Sequence, residues 1–285
     1  MRKLFTKKEI NGWTDTKIQD KPTDIVIQQS DCSQLFNKST YDEMKELSKI
    51  NVYNGQYCTK AVSMFKYNTA LTEVNLFNTS NITDMSYMFQ SCTKLVSIPT
   101  NMITGNNTSF KGTFYGCSKL TTVPQTLNCY CCTSFNAMFY DCSKLTKVPT
   151  FNNTFNVTNC KQMFYNCSKL TEVSVFNTNK VTSMEEMFYN CGQLTEIPAF
   201  KASKVTSLSG VFSRCYKLTA IHMTGMAVSF SLKDCIALEE AALVEVLNNL
   251  ATVTTAQTLT LGTNLLAKLT DEEKAIATNK GWTLA

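Results

Sequence analysis

Hydrophobic residues recur along most of the chain at intervals of 24 or 25 residues. The stretch MFYDCSKLTKVP (138–149) is followed by MFYNCSKLTEVS (163–174), and the phenylalanine of this motif marks seven copies: Phe65, Phe89, Phe114, Phe139, Phe164, Phe188 and Phe212. A shortened eighth copy, SLKDCIALEEA, keeps Leu232, Cys235 and Leu238. Regular repeats of this length are typical of chains in which each unit buries its apolar face against the next.

Each copy changes its hydrophobic period midway. In VTSMEEMFYNC (181–191) the apolar residues are spaced by 3, 3, 1 and 3 positions, which indicates one face of a short helix or helical turn. LTEIP (194–198) then resembles a brief strand closed by proline. The sequence therefore predicts an α/β leucine-rich-repeat solenoid of about 7–8 repeats, each a short helix or turn plus a short parallel strand.

The two ends of the chain lack the full motif. We predict an N-terminal cap or anchoring region over 1–50, the solenoid over 51–237 and a C-terminal cap over 238–285. At the N-terminal end, DIVIQQS (24–30) resembles a strand and STYDEMKELSKI (39–50) a helix. At the C-terminal end the pattern predicts an amphipathic helix over 238–251 and a strand over 258–262. Thr270 and Glu273 form a capping box for a last helix through Thr278.

Thirteen cysteines are present, and six of them, from Cys92 to Cys215, follow a marker phenylalanine by three positions. This spacing predicts small buried residues whose thiols donate to a turn carbonyl, a role that Asn68 can fill in the first copy. Disulfides between neighbouring repeats are not expected, because equivalent residues aim their Cβ vectors the same way. The cluster Cys129, Cys131 and Cys132 is irregular. We expect a loop between two repeats, with a thiophilic metal or a redox pair as the alternatives.

Three rows of side chains are predicted to reach solvent. The strand strip flanks the buried Val or Ile of each strand, and it is either a ligand surface or simply the wet face. Its members are Glu73, Asn75, Ser97, Thr122, Lys147, Glu172, Ser174, Glu196 and His222. The tyrosine row suits a partner protein or a sugar, or else forms a stacked cover; it comprises Tyr115, Tyr140, Tyr165 and Tyr189. The lysine row suits an anionic surface, or only keeps the protein soluble; it comprises Lys94, Lys119, Lys144, Lys169 and Lys217.

The composition of the chain argues against several classes of function. At 44% hydrophobic residues the chain is too apolar for a disordered protein, and its formal charge of +5 gives no argument for nucleic acid. We expect no membrane insertion and no secretion signal, since MRKLFTKKEI is not followed by an apolar run. With a single histidine and no nucleophile or phosphate-loop motif, we expect no cofactor, no metal and no enzymatic activity.

The template F-x-x-C-x-x-L-x-x-[VI]-P, preceded by VTSM (181–184) or VTSL (205–208), resembles the BspA-like leucine-rich-repeat family over roughly 58–240. Members of that family are typically surface adhesion and interaction proteins without catalytic residues, which implies a binding protein here. The segment from Leu259 to the end is similar to tails of repeat proteins encoded among phage and prophage structural genes.

The two resemblances together imply a non-enzymatic virion protein, associated with a tail or capsid, whose repeats bind a protein or glycan on a host surface. Its other partners would be virion proteins, and a homo-oligomer stays open. The alternatives are a bacterial cell-surface adhesin and a purely structural virion decoration.

Overall fold

The computed structural model describes residues 3–4, 24–26, 30–37, 48–53, 57–75, 79–98, 102–121 and 123–285. The strands are β1 (Lys3–Leu4), β2 (Asp24–Val26), β3 (Lys49–Tyr53), β4 (Glu73–Asn75), β5 (Thr126–Asn128), β6 (Thr150–Asn152), β7 (Glu196–Ile197), β8 (Ala220–Ile221), β9 (Phe230–Ser231), β10 (Gln257–Thr260) and β11 (Trp282–Leu284). The helices are α1 (Glu240–Asn249), α2 (Gly262–Leu266) and α3 (Asp271–Thr278).

All of the paired strands are parallel, and partners come from successive copies. The sheet β1-β2-β3-β4 leads into the repeats, β5 pairs with β6, β7 pairs with β8, and the last sheet has the order β11-β10-β9. Single bridges join a further position of each copy to the next, as from Ser134 to Asn159 and on to Ser183. Stacked copies with short parallel strands and few helices fit a leucine-rich-repeat-like fold. We call each stacked copy a rung.

The segment around each marker phenylalanine is a run of turns, so the helix alternative is wrong there and the turn alternative is right. Each of the seven full copies contains two residues of positive φ four positions apart, such as Glu186 (φ 53) and Asn190 (φ 56). A left-handed residue cannot continue a right-handed helix. Successive backbone N–H groups instead donate alternately within the rung and to the next rung. Met163 N donates to Cys160 O in its own rung (3.2 Å), whereas Phe164 N donates to Met187 O in the next rung (2.9 Å). Hydrogen bonds that a helix would keep internal therefore join neighbouring rungs.

The predicted strand after each leucine forms in only some rungs. β4, β7 and β8 occupy the predicted place, and Pro198 follows β7 as expected. β5 and β6 instead begin beyond Pro124 and Pro149. Proline has no N–H to donate, so the ladder is interrupted where it would cross these residues. A single bond such as Thr171 N to Thr146 O (3.1 Å) still joins the rungs there.

A column of stacked phenylalanine rings runs through the core. Successive rings lie 5.2–6.2 Å apart between centroids, and their planes differ by at most 18°. All of these side chains are fully buried. The phenylalanine column consists of Phe36, Phe65, Phe89, Phe114, Phe139, Phe164, Phe188 and Phe212. Because an unstacked unit would leave these rings in water, burial of this column is what couples the rungs.

Phe36 extends the column into a region that the pattern placed outside the repeats. Residues 30–37 form a turn of the same kind, in which Gln34 has φ 59 and Phe36 N donates to Met64 O (2.8 Å). The predicted strand at 24–30 is confirmed over β2. The predicted helix at 39–50 lies mostly outside the described residues, but Lys49 and Ile50 belong to β3, so the helix does not reach them.

The C-terminal elements match their predictions. Helix α1, strand β10 and helix α3 are present, and both hydrogen bonds of the capping box form between Thr270 and Glu273. Trp282 is buried and donates from Nε1 to Ala251 O (2.9 Å), which docks β11 against the end of the stack. Within the described ranges, no helix has both the length and the apolar character needed to cross a lipid bilayer.

Candidate functional surfaces

The cysteines of the repeat are structural. Each thiol donates to the carbonyl oxygen of the marker phenylalanine in the preceding rung, as from Cys142 to Phe114 (3.1 Å). The same contact recurs for Cys92, Cys117, Cys167, Cys191, Cys215 and Cys235. Burial raises the pKa of the Cys117 and Cys215 thiols to about 12, so they stay protonated donors. Asn68 donates from Nδ2 to Phe36 O in the equivalent place, which confirms the predicted exchange.

The irregular cysteines belong to the stack as well. Cys129 is buried at the position that Thr104 and Thr154 occupy in the neighbouring rungs, and Cys132 takes that of Val157. Burial raises the pKa of Cys132 to about 12. Cys131, between them, is partly exposed and free. Among the described residues, no three His, Cys, Asp or Glu side chains are placed to hold a metal ion.

A disulfide joins Cys32 to Cys58, which corrects the expectation that none links neighbouring rungs. The two cysteines are not equivalent. Asp31 pairs with Lys60, so Cys32 aligns with Ala61 rather than with Cys58. The argument from parallel Cβ vectors therefore does not apply to them. Their Cα atoms lie 6.0 Å apart, within the usual range for a disulfide.

Two members of the strand strip, Glu73 and Glu172, form ion pairs with lysines of the preceding strand or rung. Lys147 Nζ lies 2.7 Å from Glu172 Oε1, and Lys49 Nζ lies 2.9 Å from Glu73 Oε2. The described members Asn75, Ser97 and Ser174 lie on the same face, and Thr122 lies outside the described residues. A shallow depression of 410 Å³ is lined by Thr171, Glu172, Val173, Thr195, Glu196 and Pro198. The described members of the strip are polar, and the role of the strip in binding stays a prediction.

His222 closes the C-terminal end of the strand strip between two carboxylates. Its Nδ1 donates to Glu245 Oε1 of α1 (2.6 Å), and its Nε2 lies 3.4 Å from Glu196 Oε1. The hydrogen bond to Glu245 raises the pKa of His222, against a smaller lowering by burial. The imidazole thus ties the last repeats to the C-terminal helix. Because the carboxylates contact opposite ring nitrogens, they do not converge on one metal position.

The tyrosine row forms a tight stack. Ring centroids lie 4.3, 4.4 and 4.5 Å apart along Tyr115, Tyr140, Tyr165 and Tyr189, with planes within 5°. The Arg214 guanidinium lies 5.6 Å from the Tyr189 ring and flanks that end of the row. Burial, with neighbouring phenols, raises the pKa of Tyr140 and Tyr165. Since the rings cover each other's faces, this geometry favours the stacked-cover interpretation over an aromatic binding platform.

The lysine row is exposed at Lys94, Lys119, Lys144, Lys169 and Lys217. Gln193 interrupts it, and Lys217 Nζ donates to Gln193 Oε1 (2.8 Å). This geometry is compatible with both interpretations of the row.

Two surface features escaped the sequence pattern. One is a threonine ladder, in which the backbone N–H and the hydroxyl of each threonine after Thr59 donate to the threonine carbonyl of the preceding rung, as from Thr158 to Thr133 (2.9 and 3.2 Å). Thr59 itself donates to Ser30 O. The signal was available, because a threonine precedes every marker phenylalanine by six residues: Thr59, Thr83, Thr108, Thr133, Thr158, Thr182 and Thr206. The other is an exposed aromatic pair, Tyr130 and Phe155, for which the sequence offers no signal.

Comparisons with solved structures give low similarity. A leucine-rich-repeat protein of T. pallidum has a TM-score of 0.31 and 12% identity, covering 85% of this chain and 87% of that one. The TLR13–ssRNA13 complex has a TM-score of 0.24 and 12% identity, covering 98% and 48%. The plant peptide hormone receptor RGFR1 with RGF2 has a TM-score of 0.23 and 12% identity, covering 78% and 51%. No curated protein matches the chain.

The repeats match a described protein family over most of their length. Residues 30–151 and 133–225 match the family described as "Mycoplasma protein of unknown function, DUF285". These ranges begin at the extra turn around Phe36 and include every marker phenylalanine, so the match follows the stacked rungs. The chain belongs to the DUF285 family.

Proposed function

We propose that this protein is a non-enzymatic binding protein whose repeat surface engages a ligand on a host surface. One observation carries the proposal: the inside of every rung repeats the same contacts, while chemical variety is confined to the outside. The phenylalanine column and the thiol-to-carbonyl bonds hold the rungs in fixed register. Positions such as Ser97, Lys147 and Glu172 then differ from rung to rung on a common face. An extended surface of this kind suits recognition of a large partner.

The proposal assigns no catalytic residue. The thiols of the repeat are buried, and burial raises the pKa of those such as Cys117 and Cys215 to about 12, which keeps them from acting as nucleophiles near neutral pH. The single histidine is held by Glu196 and Glu245, and it joins two parts of the fold.

We propose two alternative locations for this protein, a phage virion as the first form and a bacterial cell surface as the second. A phage virion, on the tail or capsid, is supported by the similarity of the C-terminal segment to tails of repeat proteins among phage structural genes. A bacterial cell surface is the second form, for which the family description, by naming Mycoplasma, supports a bacterial source. In both, the partner is a host-surface protein or glycan, and in the first the anchoring partners are other virion proteins.

Labelling the native protein tests the location. Immunogold particles on virions but not on intact bacteria would support the first form, and the reverse would support the second. Deleting the rungs between Thr83 and Thr206 from the gene tests the binding role. We expect adsorption to host cells to fall sharply, and normal adsorption would count against the proposal. A fluorescent full-length chain that binds no host cell or glycan would favour a purely structural decoration.

A further inference from the structure

An exposed aromatic pair lies at one corner of the stack. Tyr130 is 58% exposed and Phe155, in the next rung, is 39% exposed. Their centroids lie 5.4 Å apart at an interplanar angle of 89°. A perpendicular pair leaves ring surface open to solvent, unlike the parallel stack of the tyrosine row. Large aromatic side chains left in water on adjacent rungs call for an explanation beyond folding.

Asparagines of the same rungs and of the preceding rung accompany this pair, and their side chains are fixed by hydrogen bonds. Asn153 Nδ2 donates to Asn128 Oδ1 (3.1 Å), and Asn156 Nδ2 donates to Tyr130 O (3.2 Å). Asn106 Nδ2 donates to Ser80 O in the preceding rung (2.7 Å). The Oδ1 atoms of Asn106 and Asn153 accept no hydrogen bond from the described residues. We name the group the amide–aromatic corner: Asn106, Asn128, Tyr130, Asn153, Phe155 and Asn156.

The amide–aromatic corner has no acidic side chain. The segments that pass it in successive rungs, 79–82, 103–107, 128–132, 153–157 and 177–181, contain no Asp or Glu. Lys180, the basic residue at its edge, donates from Nζ to Asn156 Oδ1 (3.0 Å). The corner therefore offers ring faces, amide donors and amide acceptors with little charge. By contrast, the lysine row consists of charged side chains, and the strand strip includes the charged residues Lys147, Glu172 and Glu196.

We propose that the amide–aromatic corner binds an uncharged glycan, an inference that rests on the proposed function and names its ligand class. The C–H face of a pyranose ring carries partial positive charge and packs on the negative face of an aromatic ring. Its hydroxyls both donate and accept, which matches the carboxamide groups. Side chains already fixed by hydrogen bonds lose little entropy on binding. An anionic polymer would find a single cation, Lys180, at the edge of the corner. A stable protein partner would have to bury far more surface than these six side chains offer.

Calorimetric titration of the full chain with defined sugars tests this. The probes are neutral hexasaccharides of β-1,4-linked N-acetylglucosamine, β-1,4-linked glucose and α-1,4-linked glucose, with a hexamer of galacturonic acid as the charged control. We expect at least one neutral hexasaccharide to bind. Tyr130→Ala and Phe155→Ala should each weaken it about 10-fold, the loss typical of an aromatic anchor. Tyr130→Phe, which keeps the ring, should stay near wild type. Tyr216→Ala is the matched control, because Tyr216 is 47% exposed elsewhere on the surface.

The outcomes separate this inference from the function it rests on. Thermal unfolding must show that every variant is folded at the assay temperature. We expect only small shifts in midpoint, because Tyr130, Phe155 and Tyr216 are each at least 39% exposed. If no neutral hexasaccharide binds, if galacturonic acid binds better, or if the corner variants titrate like wild type, the inference is wrong. If wild type and corner variants then adsorb equally to host cells, the proposed binding function stands without the corner. A corner substitution that dissolves an oligomer but leaves sugar binding intact would identify a self-contact and overturn the inference.

Discussion

Removing one ring from the middle of the phenylalanine column should be among the most damaging single changes to stability. Phe139 is fully buried between Phe114 (5.5 Å) and Phe164 (5.9 Å), and its carbonyl accepts the Cys167 thiol. Phe139→Ala removes the buried ring and leaves a cavity, at a cost of about 3–5 kcal/mol in unfolding free energy. Phe139→Leu keeps most of the volume but loses two stacked contacts, so it should cost about 1–3 kcal/mol.

Urea unfolding followed by far-UV circular dichroism measures these losses. The midpoint should fall in the order wild type, Phe139→Leu, Phe139→Ala, with the slope unchanged if the rungs unfold together. Phe155→Ala is the control, since this ring is 39% exposed and should cost under about 1 kcal/mol. If Phe139→Ala destabilises the protein no more than Phe155→Ala does, the column is not what couples the rungs, and the reasoning fails.

Three further predictions concern chemistry at single sites. The free thiols other than Cys131 are buried, so Ellman's reagent should modify one thiol quickly in the native protein and the others only after unfolding. Rapid reaction of several thiols would contradict the burial of these cysteines. The hydrogen bond to Glu245 raises the pKa of His222 above 6.5. The contact therefore stabilises the fold at low pH, and its contribution is lost as the pH rises through the pKa of His222 in the folded protein. Proton NMR of the single histidine should show a lower pKa in Glu245→Gln, and an unchanged titration would rule out the pairing. Thr270→Ala removes the capping box of α3 and should lower the free energy of unfolding in urea by about 1 kcal/mol. Thr263→Ala, outside that cap, is the control, and equal effects of the two substitutions would show that the cap contributes nothing specific.

The sequence by itself was enough to predict the repeat length of 24 or 25 residues, the buried phenylalanine column and the buried place of the repeat cysteines. Those follow from apolar residues recurring at fixed offsets, because a stack places equivalent residues side by side whatever their local conformation. Helices α1 and α3 were also predictable, since their signals are local: an amphipathic period for α1 and a capping box at Thr270 for α3. Helix α2 was not predicted, and it begins at Gly262, the last residue of the strand predicted over 258–262.

Only the tertiary structure decided between helix and turn. The spacing of apolar residues in VTSMEEMFYNC fits both, and the left-handed residues that decide it include Ala137, Gln162 and Glu186, which carry no glycine-like signal. Their conformation is held by hydrogen bonds from the neighbouring rungs, which are distant in sequence. The same reason explains why Phe36, 29 residues before Phe65, was missed as part of the column. The pairing of His222 with Glu245, the Cys32–Cys58 disulfide and the exposure of Tyr130 likewise depend on which segments the stack brings together.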